Sequence, residues 1–251
     1  PNVLYFPNGW NGYKFWMTYT PYPYSNNQYE NPSIVASNDN ITWVEPAPNP
    51  VAPLAPTDTF QSDPEILMNG DTMELWYRAT VVEGSTLFTT MYRKKSTDGV
   101  NWTEREKMFD NNSFENMRSP AIIREDGLYK SWYNSDDGNG NFFMKYAESA
   151  DGKNWNSRIL DIELNYNDYT FWHGDVYKHD DGKIDMVIAC RSDNNPGAIF
   201  YTYSYDNVNF VPPILLVKPV TGKGPGQWDS INLYKPALTM VDDEYYLYYI
   251  Y

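Results

Sequence analysis

The sequence predicts an all-β chain folded as a five-bladed β-propeller with four-stranded antiparallel blades, and three observations carry that expectation. Aromatic residues are abundant, with 23 Tyr, 11 Phe and 9 Trp among 251 residues, while 18 Pro and 15 Gly are spread along the chain; this balance favours strands over helices. A strand, tight turn and second strand recur five times. The unit that contains them repeats about every 55 residues, a period that marks repeat architecture.

The tight turns are Asn11-Gly12, Asn69-Gly70, Asp126-Gly127, Asp181-Gly182 and the glycine-free Asp242-Asp243. The strands before them open at Pro1-Asn2-Val3, Asp63 to Ile66, Ser119 to Ile122, His173 to Val176 and Lys235 to Leu238. A second turn of the form S-x-D-[GN]-x-x-[WF] begins at Ser37, Ser96, Ser149 and Ser204 and ends on Trp43, Trp102, Trp155 and Phe210. Asp with Gly or Asn supplies the tight conformation, and the closing aromatic caps the layer between neighbouring sheets. These turns are structural.

The pattern assigns one propeller over residues 1–251, with blades at about 1–50, 60–112, 116–165, 172–215 and 229–251. The last blade lacks two outer strands, which sequence beyond this stretch is expected to supply. A chain opening at Pro1 and ending in an aromatic strand reads as part of a longer polypeptide.

Net charge is −14 with a pI near 4.5, which opposes nucleic-acid binding because phosphates would be repelled. No apolar run reaches the roughly 18 residues of a membrane helix, so no membrane insertion is expected. The single Cys190 excludes an intrachain disulfide and reads as buried and inert. With two His and one Cys, no zinc site of ordinary ligand count is readable, and neither metal nor cofactor is implied. The acidic loop Asn134 to Asn141 lacks EF-hand spacing and reads as a solvated loop.

Antiparallel strands place the tight turns on one face and the long varied segments on the other. The varied segments are Thr20 to Glu30, Arg78 to Ser85, Asn134 to Gly140 and Arg191 to Asn195; binding is expected on that face, as a funnel. Its centre would hold Asp63, Arg118, Trp172, His173, Asp175, Trp228, Asp229 and Lys235, with Arg191 beside them. Carboxylates and guanidinium groups among aromatic rings suit a sugar, whose hydroxyls take directional hydrogen bonds while its C–H faces stack on rings. Trp16, Trp43, Trp76, Trp102, Trp132 and Trp155 read as core, and His179 as an exposed hairpin residue. Asp63 also has a structural reading, as the ion-pair partner of Arg118.

The five repeats and the Asp63-Pro64 step resemble the arabinanase and levansucrase-like glycoside hydrolases, five-bladed propellers with catalytic carboxylates at the starts of inner strands. That resemblance implies that Asp63 tunes a proton donor. Ser62 replaces the family's Arg, and Arg118-Ser119-Pro120 stands where its acid is expected. The first-blade base of that family would immediately precede Pro1, so an enzyme of this type would take its base from there and its acid from Glu115 or Asp175, with Asp63 tuning the donor, because acid and base or nucleophile must stand about 5–9.5 Å apart.

The opening, Pro1 to Pro23 followed by Glu30 to Asp39, is similar to the propeller platform of receptor-binding proteins of tailed phages that infect Gram-positive, staphylococcal-type hosts. This implies a non-catalytic tail component in the virion, or at least an extracellular one, trimeric through regions outside this stretch. It would adsorb to cell-wall glycopolymer of the glycosylated teichoic acid type. Two alternatives stay open: an active glycoside hydrolase or depolymerase, and a structural platform with binding elsewhere.

Overall fold

A computed structural model describes residues 1–54, 60–110, 116–220 and 232–250. Among the described residues seventeen strands build five antiparallel sheets in chain order, and the fold is an all-β propeller of antiparallel blades. Strands β1 (Asn2–Trp10), β2 (Tyr13–Tyr19) and β3 (Ser33–Ser37) form the first sheet. The next contains β4 (Phe60–Asn69), β5 (Thr72–Glu83), β6 (Thr86–Ser96) and β7 (Glu106–Asp110). The third contains β8 (Arg118–Glu125), β9 (Leu128–Asp136), β10 (Phe142–Ser149) and β11 (Asn156–Ile159). Strands β12 (Thr170–Lys178), β13 (Ile184–Arg191), β14 (Ala198–Ser204) and β15 (Ile214–Val217) form the fourth, and β16 (Tyr234–Val241) with β17 (Glu244–Ile250) the last.

Three sheets reach the expected four strands, and the first falls one short for a local reason. The segment after Val44 carries Pro46, Pro48 and Pro50, and proline cannot donate to a ladder. An isolated bridge, Ala36 to Val44, stands in its place. The side-chain amide of Asn49 both accepts from Ile34 N and donates to Ile34 O, each at 2.9 Å, replacing a strand's pair of bonds.

The chain falls into two compact units. One comprises Pro1–Met117, Ile122–Lys130 and Ser149–Trp155; the other comprises Arg118–Ala121, Ser131–Glu148 and Asn156–Tyr251. Trp16, Ile34, Ile66, Met73, Leu75 and Tyr77 are buried together in the first. Val187, Ile199, Leu233 and Leu238 form a buried cluster in the second.

The S-x-D turns are built alike. Asp39 Oδ1 accepts from the backbone N–H groups of Ile41 and Thr42, and Asp98, Asp151 and Asp206 repeat the pattern at 2.7–3.0 Å. In the first unit the two glycine-bearing turns also abut a tryptophan: a Cβ on Gly99 would lie 2.1 Å from Trp16, and one on Gly152 would lie 2.5 Å from Trp76. Both glycines have positive φ as well, so backbone conformation and space each demand the missing side chain. In the second unit Asn207, also left-handed, accepts from Trp132 Nε1 at 2.9 Å. Trp16, Trp76, Trp132 and Trp155 are buried as expected, whereas Trp43 and Trp102 are only half-buried.

Each unit also buries a carboxylate on the second strand of a sheet. Glu74 accepts from Trp76 Nε1 and Tyr129 O–H, each at 3.0 Å, and pairs with Arg93. Asp185 accepts from Tyr201 and Tyr245 and pairs with Lys183 and His179. Burial alone would raise the Asp185 carboxyl, but hydrogen bonds from Lys183, Tyr201, Tyr245 and His179 hold it at about 2. His179 is therefore a partner of a buried charge, which corrects the expectation of a freely exposed hairpin residue.

Candidate functional site

The chain distorts where the inner strands begin. Asp63, Ser119 and Lys235 each precede a proline and each has positive φ, at +54°, +42° and +44°. A residue before proline normally takes extended backbone, and holding a non-glycine residue left-handed costs about 1–3 kcal/mol. Between Ser62 and Glu65 of β4, and between Tyr234 and Ala237 of β16, the strand carries one residue more than its partner. In β12 the register skips Trp172, between Phe171 and His173. Such bulges re-aim side chains out of the ladder, which is how the strand starts come to display polar and aromatic groups.

In the first unit the distortion turns Asp63 onto Arg78 of the neighbouring strand. Their ion pair is 2.6 Å long and both side chains are largely buried. The expected partner of Asp63, Arg118, belongs to the other unit, where it pairs with Asp136 of β9. The segment from Arg78, expected as a loop, is mostly strand: β5 runs to Glu83 and pairs with β6 through Glu83 and Thr86. Ala79-Thr80-Val81-Val82 is β-branched enough to hold a ladder.

In the second unit the predicted residues converge. The hydroxyl of Ser119 meets Nδ1 of His173, from β8 and β12. His173 is buried and packs edge-on against Tyr234 of β16, with ring centres 4.5 Å apart. Trp172 lies 5.2 Å from Phe142, also edge-on. Arg191 lies over both rings, 4.1 Å from Trp172 and 4.3 Å from Phe142, and Arg118 lies 5.5 Å from Phe142. Lys235 lies 5.9 Å from the ring of Tyr234.

Four predicted residues, Arg118, Trp172, His173 and Arg191, therefore share one cluster, with Lys235 at its edge. Asp175 is turned to another use: it is buried, and its Oδ2 accepts from Leu238 N at 2.8 Å, tying β12 to β16. Glu65 does the same in the first unit, accepting from Ile122 N at 3.1 Å. Glu115, Trp228 and Asp229 lie outside the described residues. Sequence reasoning did not single out Ser119, Asp136, Phe142, Tyr234 or Arg78 as site residues. Three of them, Ser119, Tyr234 and Phe142, flank residues or a loop that it did single out, so position relative to the strand starts was the available signal.

Among the described residues no group of three or more His, Cys, Asp or Glu side chains could hold a metal ion. The carboxylates of the 134–141 loop are engaged locally: Asp136 accepts from Gly138 N, and Asp137 from Asn139 N and the Asn141 side chain. Cys190 is buried, and burial pushes its thiol up. Chemically, the cluster offers a hydroxyl coupled to an imidazole, guanidinium donors and ring surfaces.

No protein-family model matches the chain. It is 28% identical, over 288 aligned residues covering 94% of this chain, to an A type blood N-acetyl-alpha-D-galactosamine deacetylase of Flavonifractor plautii. The chain spans only 37% of that relative's length. The crystal structure of an N-acetylgalactosamine deacetylase from F. plautii, solved with blood group B trisaccharide, superposes with a TM-score of 0.80 at 24% identity, covering 95% of this chain and 74% of that one. The Bombyx mori GH32 beta-fructofuranosidase gives 0.69 at 19% identity, covering 98% and 53%. A xylan beta-1,4-xylosidase from Bacillus halodurans gives 0.70 at 14% identity, covering 99% and 48%. The fold is thus that of glycoside-hydrolase-like propellers, and the chain resembles carbohydrate-active proteins. None of these relatives is a phage tail protein, and they lend the receptor-binding reading no support.

Proposed function

We propose that the chain is the glycan-recognising propeller of a carbohydrate-active hydrolase, acting on an acylated sugar at the cluster of the second unit. The observation that carries the reading is the Ser119–His173 contact, set among the rings of Phe142, Trp172 and Tyr234. A serine hydroxyl donating to an imidazole is the pairing that activates an oxygen nucleophile. In the proposed reaction Ser119 Oγ bonds to the acyl carbon while its proton passes to His173. The bond from the acyl carbon to the sugar oxygen or nitrogen then breaks, and that atom leaves with the proton. Water, deprotonated by the same imidazole, releases the acid and restores the hydroxyl. The similarity to a sugar deacetylase supports this reaction class.

A second reading is glycosidic cleavage. It is favoured by Asp63, which sits at the bulge near the start of β4, where arabinanase-like enzymes carry a carboxylate, and by the fold shared with glycosidases. The chain is short relative to its relatives, so further catalytic groups can lie elsewhere in the full protein.

The test is incubation of the full protein with acetylated and unacetylated oligosaccharides, following bound sugar, acetate and reducing ends separately. The proposal expects acetate release that Ser119→Ala abolishes. Reducing ends lost on Asp63→Asn would establish the second reading. Retention with neither product would make the propeller an adhesive module, the role expected of a phage tail platform, and absence of all three would end the carbohydrate reading.

A further inference from the structure

Arg191 is an uncompensated cation in a chain of net charge −14. It ends β13, is exposed, and among the described residues meets no carboxylate within ion-pair distance. Its guanidinium is nevertheless held in place, 4.1 Å from the ring centre of Trp172 and 4.3 Å from that of Phe142. Arg118 shares the Phe142 ring, yet its charge is matched by Asp136. The two guanidinium groups thus differ: one is neutralised and the other is not.

Stacking on rings attracts a guanidinium through the ring quadrupole and leaves its in-plane N–H groups free. Those N–H groups match a planar carboxylate or the oxygens of a sulfate or phosphate ester, two bonds at a time. The aromatic support also fixes the side chain beforehand, so little rotamer freedom remains to be lost on binding. A neutral sugar needs none of this. Arginine simply covering apolar rings is the competing reading; it accounts for the contact with Trp172 but predicts no discrimination by charge.

We propose that Arg191 selects glycans bearing an anionic substituent, a uronate carboxylate or a sulfate ester, at the Trp172–Phe142 cluster. This rests on the carbohydrate reading above and adds the class of sugar. An electronegative chain repels anionic polymers at long range, so the discrimination is expected to be short-range and confined to the residue contacting Arg191.

The experiment is calorimetric titration of the full protein with paired probes: oligogalacturonate against its carboxyl-reduced form, and a sulfated galactan oligosaccharide against its desulfated form. One charged member should bind at least about tenfold more tightly than its neutral partner, and which pair does so separates carboxylate from sulfate. Arg191→Gln should bring that ratio to about one, and Arg191→Lys should retain part of it, with melting temperatures confirming that both variants fold. Equal affinity within both pairs, or a ratio that survives Arg191→Gln, overturns the inference while leaving the carbohydrate reading standing. Failure of all four probes and of neutral oligosaccharides generally removes both.

Discussion

Trp172 is the residue that β12 leaves out of register, and Arg191, which ends the strand paired to it, lies over its ring at 4.1 Å. A bulge and a strand end thus make one surface. Trp172 owes its place to an irregularity in the ladder and is only half-buried, so its removal should spare the core. Trp172→Ala is expected to weaken glycan retention roughly 2- to 13-fold, the worth of one aromatic contact of about 0.5–1.5 kcal/mol. The melting temperature should move by less than in Gly152→Ala below, and a paired titration and melt checks both.

Ser119→Ala and His173→Gln should separate binding from turnover. If the hydroxyl is the nucleophile, both variants lose acetate release by two orders of magnitude or more. Retained sugar changes little for Ser119→Ala, because the hydroxyl contributes only a small polar contact to a ring-lined site. Parallel binding and turnover assays read this directly, and an equal loss in both would reduce the pair to a structural contact.

Gly152→Ala should be costly. Its φ is +74° and the new Cβ would lie 2.5 Å from Trp76, with Met108 at 3.1 Å. A left-handed penalty of about 1–2 kcal/mol adds to overpacking of about 1–3 kcal/mol. Gly127→Ala has a similar φ of +77° with nothing within 4 Å, so it should bear the first cost alone. Denaturant melts of the two variants test whether close packing on tryptophan, beyond turn geometry, fixes glycine in these turns.

Acid should unfold the protein through its turns and the Asp185 network. Backbone N–H donors hold Asp39 at about 2, and Asn101, together with backbone groups, depresses Asp98 below the usual carboxylate range. Asp185 is held at about 2. These folded values lie below the unfolded value of 3.8. Their stabilisation is therefore complete above about pH 4 and is lost as pH falls through the folded values. Melting temperature should stay level from neutrality to about pH 4 and drop steeply towards pH 2. Asp98→Asn should start lower, with its deficit shrinking as the pH falls.

What the sequence made legible was local. Each S-x-D turn closes within seven residues, and the Asn-Gly and Asp-Gly hairpins within two, so their chemistry is written in one place. The first sheet's missing strand was not legible, because the amide of Asn49 reaches back to Ile34 and side-chain substitution for a ladder leaves no periodic trace. The β5–β6 hairpin was misread because Arg78 and Gly84 resemble loop residues, while pairing with Thr86 to Met91 decides the matter. Trp172, His173, Arg118 and Arg191 could be named together from sequence because they stand near strand ends, and the structure gathers them in one cluster. Phe142 and Tyr234 join them only once the strands assemble. Asp175 looked like a site carboxylate by position, yet the same position serves Glu65 as a tie to the first strand of the following sheet.

The central claim is that sugar sits on the Phe142–Trp172–His173 cluster, and hydrogen–deuterium exchange with the oligosaccharide selected by the retention assay tests it most directly. Slowed exchange is expected at residues 170–175, 189–193 and 141–144, with the Thr20 to Glu30 segment unchanged. Protection confined to the first unit, or none in these three stretches at saturating sugar, would contradict the account.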